Sequence, residues 1–258
     1  YQLQWPTRAG LPFGAEALLR WQHPVRGLLA PAAFLDVLED MALIHALGLW
    51  VIEQACRQWL LWREQGIEPP HIAVNVAAAQ LGEPGFADAV AAVISTSGVP
   101  PAAIELEVTE SQVMRDLDLT RKLLARLHGA GQRLALDDFG TGHSALAYLA
   151  ELPFDRLKID QQFVRGLPES AKAAELVRTI LLMAGGLELK VIAEGVETEA
   201  QADFLRRAGC HWLQGFGLAH PCPPEEIAAS GLSAFISDVS SVERVDTKDG
   251  SIRYFRSF

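Results

Sequence analysis

The sequence predicts an α/β fold built as a (β/α)8 barrel, and three observations predict it. Short apolar runs alternate with amphipathic helical stretches along most of the chain, the pattern of βαβ units and a largely parallel sheet. The 258 residues, 50% of them hydrophobic, suit one such barrel, whose usual size is about 250 residues. Polar residues also stand in or at the carboxyl ends of the apolar runs, one to a strand: Glu16, Asn75, Glu107, Asp137 with Asp138 beside it, Lys158, Glu194 and Gln214. A barrel site is assembled this way, from several strand ends at one mouth. An open doubly wound sheet would gather its polar residues at one switch point and carry a Gly-rich phosphate turn after its first strand; the sequence has no such turn.

Taken in order, Tyr1 to Trp5 and Gly14 to Trp21 read as two strands around a turn at Thr7 to Pro12. In the second, Glu16, Leu18 and Arg20 fall at period two and would share a face. Pro31 opens a helix running to Met41, with Phe34, Leu35 and Leu38 at helical spacing, and a longer striped helix covers Ile44 to Gln65. A strand from Ile72 to Val76 carries Asn75 near its end, and a helix from Phe86 to Ser97 leads through Pro100 and Pro101 to a strand at Ile104 to Val108. After a helix from Leu117 to Gly129 comes the central stretch, Arg133 to Tyr148, RLALDDFGTGHSALAY. The beat then repeats: strand Arg156 to Ile159, helix Ala173 to Ala184, strand Lys190 to Ala193, helix Thr198 to Ala208, strand His211 to Phe216.

Everything turns around Asp137 and Asp138. Neighbouring side chains on a strand point to opposite faces, so two adjacent acids converge only where the strand ends and the backbone turns, as Gly140 and Gly142 indicate here. Two like charges that close repel and call for a cation between them. A divalent metal is the economical one, and an acidic turn after a strand is the plain alternative.

Composition narrows the class. A formal charge of −10 excludes a generic DNA or RNA surface, which needs Lys and Arg in excess, although bound metals can reverse the sign locally for a phosphodiester. No apolar run reaches the ~18 residues of a membrane span, and no signal peptide opens the chain. The abrupt start inside strand-like text points to a piece of a larger protein. Cys56, Cys210 and Cys222 lack CxxC spacing and read as free thiols in a reducing compartment.

Seven motifs in order, GAEALLRW (14–21), VN (74–75), ELEVTES (105–111), LALDDFGTG (134–142), LPFDRLKID (152–160), VIAEGVET (191–198) and QGFGLAHP (214–221), resemble the EAL family of cyclic di-GMP phosphodiesterases over residues 1 to about 229. The resemblance implies a TIM-like barrel whose first strand runs antiparallel to the rest, residues 1–236 forming the EAL domain and 237–258 a tail. The Asp249-Gly250 pair of that tail, between alternating stretches, suggests a hairpin. It implies hydrolysis of cyclic di-GMP to linear 5′-pGpG by a hydroxide that two metal ions activate, lowering a bacterial second messenger. Hard oxygen donors suit Mg²⁺ or Mn²⁺, with Ca²⁺ binding but supporting little activity.

By the same resemblance, Glu16, Asn75, Glu107 and Asp137 hold one ion, and Asp137 bridges to a second held by Asp138, with Glu194 close enough to ligate it or to orient the water. Lys158 positions the attacking water, Glu194 acts as general base, Gln214 steadies the water and Glu110 braces the DFGTG loop. Arg20, with Leu18 near it, grips substrate. The expected partners are cyclic di-GMP, a second copy of the chain docked through helices beside the DFGTG loop (Ala145, Ala147, Ala150), and upstream sensory or GGDEF-type domains in a full-length protein, with the domain cytoplasmic and a membrane anchor on the whole protein left open. His143, Ala145, Gln161 and His220 depart from the family pattern. Each polar position alone has a duller explanation as a turn, a solvated strand end or a surface pair; eight together at strand ends do not. Glu197, in EGVE, reads as structural at a helix start, and His23, His45, His71, His128 and His211 as packing or surface residues. The alternative from another class is a catalytically silent cyclic di-GMP receptor. Such receptors typically lose acidic or lysine positions, and all are present here.

Overall fold

The computed structural model describes residues 1–8, 10–41, 43–140, 146–229, 242–246 and 252–256. β1 (Gln2–Pro6) pairs antiparallel with β2 (Gly14–Ala17), Gln2 opposite Glu16. A hairpin of β3 (Trp21–His23) and β4 (Gly27–Leu29) stands outside the barrel. α1 (Leu35–Asp40) and α2 (Ile44–Glu64) lead to β5 (Ile72–Asn75), then α3 (Ala78–Leu81) and α4 (Phe86–Ser97) to β6 (Ile104–Thr109). α5 (Glu110–Arg115) and α6 (Leu117–Gly129) precede β7 (Arg133–Phe139), and α7 (Leu146–Leu149) precedes β8 (Arg156–Ile159). α8 (Gln161–Val164) and α9 (Ala171–Gly186) lead to β9 (Lys190–Ala193), α10 (Glu199–Arg207) to β10 (Trp212–Leu213), and α11 (Pro224–Ala229) follows.

Eight strands close in the order β1-β10-β9-β8-β7-β6-β5-β2. β1 runs antiparallel to both neighbours and every other adjacent pair is parallel, so seven carboxyl ends open on one mouth. In the tail, β11 (Val242–Asp246) and β12 (Ile252–Arg256) pair antiparallel; the turn expected at Asp249-Gly250 lies outside the described residues.

Two strands are shorter than the sequence implies. β2 stops at Ala17, where its ladders with β1 and β5 end, and the chain leaves the sheet for the β3–β4 hairpin. Leu18 and Arg20 therefore lie on a loop and do not share a strand face with Glu16. β10 stops at Leu213, because Gly215 already packs on the backbone of Val196.

Both faces of the barrel strands are buried, and the alternation sorts residues by layer. In β6, Ile104, Leu106 and Val108 join the apolar core while Glu105 and Glu107 stand on the other face; in β8, Leu157 and Ile159 do so while Arg156 and Lys158 stand opposite. The apolar core thus lies between the strands and the helices, and the charge lies on the barrel axis. α2 closes one side with Ile52, Ala55, Cys56, Trp59 and Trp62, a spacing that keeps one stripe inward. Each fully buried Ile or Leu here contributes about 1.5–3 kcal/mol.

Deep on the axis, Arg156 Nη1 lies 3.1 Å from Glu105 Oε2, both side chains buried, and its guanidinium sits 5.3 Å over the Trp212 ring. His71, fully buried, meets Trp212 edge-on at 5.4 Å. Burial, with Arg156 and Arg133 nearby, holds the His71 imidazole well below its usual pKa. The folded chain keeps it neutral, whereas the unfolded chain protonates it below about pH 6.5. Stability supplied by neutral His71 is thus present above that pH and lost as pH falls, by up to about 1.4 kcal/mol per unit for one proton. Urea unfolding from about pH 7 to 5 should decline less steeply in His71→Gln than in the unsubstituted protein; equal slopes would mean that His71 protonates in the fold.

Candidate active site

Lys158, from β8, reaches the centre of a ring of acids delivered by other strands. Its ammonium, 1% exposed, lies 2.7 Å from Glu107 Oε2, 3.1 Å from Asp137 Oδ2, 2.8 Å from Glu194 Oε1 and 3.8 Å from Glu16 Oε2. Asn75 Nδ2 donates to Glu16 Oε1 at 2.7 Å and Gln214 Nε2 to Glu16 Oε2 at 2.6 Å. The ladders set this up: Asn75 is opposite Glu107, and Asp137 is opposite Thr109, two residues beyond Glu107.

Asp138 joins the ring through a break in strand geometry. Its φ is +54°, in the left-handed region, and the β7–β8 register shifts between Leu136 and Phe139. This bulge brings two adjacent acids to one place although the strand itself runs on to Phe139. A carboxylate oxygen from each of Asp137, Asp138 and Glu194 lies within 4.8 Å of the others. Just beyond, Glu110 Oε2 accepts the Gly140 N–H at 2.9 Å. Thr109 caps α5, its Oγ1 accepting from Gln112 N–H while Gln112 Oε1 accepts from Thr109 N–H, so the helix starts at the end of β6 and puts Glu110 in its first turn. Gly140 has φ +90° and a Cβ there would meet Phe163 at 2.8 Å.

The loops carrying Glu194 and Gln214 are stitched together. Val196 N–H donates to Gln214 O at 3.0 Å and Gly217 N–H to Val196 O at 2.9 Å. A Cβ at Gly215 would lie 2.2 Å from Val196 backbone atoms, so only glycine lets the two loops meet. Gln201 Oε1 accepts from Glu197 and Thr198 N–H, which ties the end of this loop to α10 and gives Glu197 a structural place.

Burial would lower the Lys158 pKa, but Asp137, Glu107, Glu16 and Glu194 outweigh it and hold the ammonium charged, well above its usual value. Burial raises Glu107 well above the ordinary carboxylate range against the pull of Lys158, and burial with Asp137 raises Asp138. Glu194 is pushed up to about 8 by burial, Lys158 opposing and Asp137 and Glu16 adding to the rise. Glu16 goes the other way: Lys158 and the Gln214 and Asn75 amides overcome its burial and lower it.

One ammonium cannot balance this many carboxylates. Glu16, Glu107, Asp137, Asp138 and Glu194 against Lys158 leave a formal −4, and Glu107 Oε1 is buried without a hydrogen-bond partner. An all-oxygen donor set with surplus charge and an orphaned buried oxygen fits hard divalent cations.

The structure thus brings together Glu16, Asn75, Glu107, Asp137, Asp138, Lys158, Glu194 and Gln214, with Glu110 behind them. It leaves Arg20 and Leu18 outside this cluster: Arg20 is exposed and its Nη1 donates to Leu19 O at 2.8 Å. Of the other positions singled out, His220 stacks on Phe216 with centroids 4.6 Å apart and Gln161 caps no acid but accepts from Arg165, while His143 and Ala145 lie outside the described residues. Sequence reasoning passed over Gln2 and Gln4, both buried and both bonded to Gln214. Two glutamines at period two in an otherwise apolar strand were the available signal.

A family model of the EAL domain matches residues 1–221. The chain belongs to the EAL domain family. This EAL domain is 45% identical over 221 residues to the bifunctional diguanylate cyclase/cyclic di-GMP phosphodiesterase MucR of Pseudomonas aeruginosa, covering 86% of the chain and 32% of MucR. It is 43% identical over 208 residues to the cyclic di-GMP phosphodiesterase NbdA of the same organism, covering 81% of the chain and 27% of NbdA. The chain therefore spans about a third or less of the length of these relatives. Among solved structures, the PaMucR phosphodiesterase in complex with c-di-GMP superposes with a TM-score of 0.81 at 42% identity, covering 88% of this chain and 92% of that one. No described helix of the EAL domain is long and apolar enough to cross a membrane.

If the ring takes divalent ions, Mn²⁺ at about 100 times its dissociation constant should stabilise the EAL domain by about 2.7 kcal/mol, read as a rise in thermal midpoint over an EDTA control. Asp137→Asn should remove most of that rise; an undiminished rise would place the ion elsewhere.

Proposed function

We propose that this EAL domain hydrolyses cyclic di-GMP to linear 5′-pGpG, and that the protein containing it thereby lowers a bacterial second messenger. One observation carries the reading: acids from separate strands converge on a buried lysine at the mouth of a barrel of this family, with Asn75 and Gln214 bonded to Glu16 beside them. The names of MucR and NbdA, and the c-di-GMP complex of PaMucR, support the substrate.

In this reading, Glu16, Asn75, Glu107 and Asp137 hold one Mg²⁺ or Mn²⁺ ion, and Asp137, Asp138 and Glu194 a second. Bound there, such ions would supply charge neutralisation for the phosphodiester oxygens and would lower the pKa of water. Water attacks phosphorus, the P–O3′ bond breaks, and the 3′ oxygen leaves as a hydroxyl after taking up a proton. Lys158, permanently charged on the axis, attracts the developing negative charge of the attacking oxygen. Glu194, brought to the ring beside Lys158, is placed to exchange the proton. Gln214 keeps Glu16 aimed, and Glu110 anchors Gly140 at the start of the DFGTG loop. Arg20 turns from its own backbone to substrate, where a fork of donors suits phosphate or the guanine edge, and Leu18 lines its approach.

A single assay series tests this. Purified protein with cyclic di-GMP should turn over in Mg²⁺ or Mn²⁺ and barely in Ca²⁺, whose larger and looser shell spoils a tight two-ion geometry. Glu16→Ala should cut turnover at least about a hundredfold, in line with loss of a group that aligns the reacting centre. Binding without turnover would establish the silent receptor instead.

We also propose a homodimer through the helices beside the DFGTG loop, where Met114 of α5 and Leu119 of α6 are exposed apolar residues; of the alanines implicated, Ala145 and Ala147 side chains lie outside the described residues. Upstream sensory or GGDEF-type domains and a membrane anchor in a longer, cytoplasm-facing protein complete the proposal, in keeping with relatives some three times longer. Sedimentation at high micromolar concentration should give a dimer; a fully active monomer would remove the interface.

A further inference from the structure

The first strand, alone in running against the others, sends two amides into the site that no metal position accounts for. Side chains alternate along β1, so Leu3 joins the apolar core while Gln2 and Gln4 point to the barrel axis, Gln4 with no exposed surface. We infer that Gln4 is a positioning residue: by donating to the Gln214 oxygen it completes, with Gln2, the bonds that keep the Gln214 nitrogen toward Glu16, and so helps hold the Glu16 carboxylate in the orientation a metal ion needs. The inference rests on the metal-holding role of Glu16 proposed above.

The polarity of the hydrogen bonds carries it. A backbone carbonyl can only accept, so Ala219 O, 3.0 Å from Gln2 Nε2, settles which end of the Gln2 amide is nitrogen. Gln2 Oε1 then accepts, and Gln214 Nε2 lies 3.1 Å from it. The second hydrogen on Gln214 Nε2 goes to Glu16 Oε2 at 2.6 Å, again an obligatory acceptor when ionised. Both donors of Gln214 are now spent, and its Oε1 faces inward, buried, needing a donor. Gln4 Nε2 is that donor, at 3.0 Å. On the far side its Oε1 lies 2.6 Å from His71 Nε2, a nitrogen that Arg156 Nη1 also approaches at 2.5 Å.

Without Gln4, nothing among the described residues donates to Gln214 Oε1. A half-turn of the Gln214 amide, which sets its oxygen against Glu16 Oε2 and Gln2 Oε1, would then be opposed by those two contacts alone. Glu16 would keep only Asn75 as a donor amide and lose its fixed orientation. Groups that orient a metal ligand from behind are worth about 10- to 100-fold in metal affinity.

The test is a double-substitution cycle read by Mn²⁺ binding in a calorimeter, with folding checked by circular dichroism in EDTA. Gln4→Met keeps length and removes the donor; Gln214→Met removes the group through which Gln4 is said to act. Each single substitution should weaken Mn²⁺ binding about tenfold or more, and the double should be no weaker than Gln214→Met, because the second loss has nothing left to act on. Should Gln4→Met fail to fold, Gln4→Leu, of similar size without a donor, should show the same loss. A Gln4 variant that binds Mn²⁺ like the unsubstituted protein, or losses that multiply in the double, would overturn the inference while leaving the metal site standing. Absence of Mn²⁺ binding in the unsubstituted protein would instead remove the metal reading on which it rests.

Discussion

A single ammonium, Lys158, buried among the carboxylates of Glu107, Asp137, Glu194 and Glu16, is the constraint around which the rest of the molecule is arranged. Taking such a charge out of water costs several kcal/mol, and so does each carboxylate brought beside it. Only mutual proximity offsets the cost, and proximity at this density requires that each group arrive on a different rigid strand. Had the acids come from one loop, their repulsion would have splayed it. A closed barrel cannot splay, because every strand is bonded on both sides.

The apolar sleeve makes this possible. Ile104, Leu106 and Val108 of β6 and Leu157 and Ile159 of β8 are buried toward the helices, and their burial supplies the stabilisation that the axis consumes. The axis itself carries two polar tiers. Arg156, Glu105 and His71 form the deeper one, with charge balanced within it; the ring around Lys158 forms the upper one, with negative charge in excess. Gln4, bonded to His71 on one side and Gln214 on the other, joins them. A charge-balanced tier thus stands directly beneath the ring proposed to hold metal, and β1, reversed in direction, is the strand that reaches both.

Legibility in the sequence followed from how local each cause was. α6 from Leu117 to Gly129, α4 from Phe86 to Ser97, β8 from Arg156 to Ile159 and β9 from Lys190 to Ala193 have the limits that periodicity and flanking Gly, Pro and capping residues assign them. The residues of the ring were readable because charge inside apolar strand text is locally anomalous. β2 was overextended through Leu18 and Arg20 because their alternation with Glu16 mimics a strand; the ladders that end it belong to β1 and β5. The β3–β4 hairpin and the short helices α3 and α5 escaped because each is too brief for a periodic signal. Gln2 and Gln4 escaped because a buried glutamine has no local mark: its partners, Ala219, Gln214 and His71, lie far along the chain.

By itself, then, the sequence determined the alternation of strands and helices, the parallel barrel and the identity of the acids and lysine at its mouth, since these follow from side-chain period and from the rarity of charge in buried strands. Only the tertiary structure decided that Asp138 turns into the ring through a left-handed bulge, that Arg20 stands apart from it, and that the reversed first strand orders the amides behind Glu16. Those depend on which strands become neighbours and on the direction in which hydrogen bonds between them run, and neither quantity exists until the barrel closes.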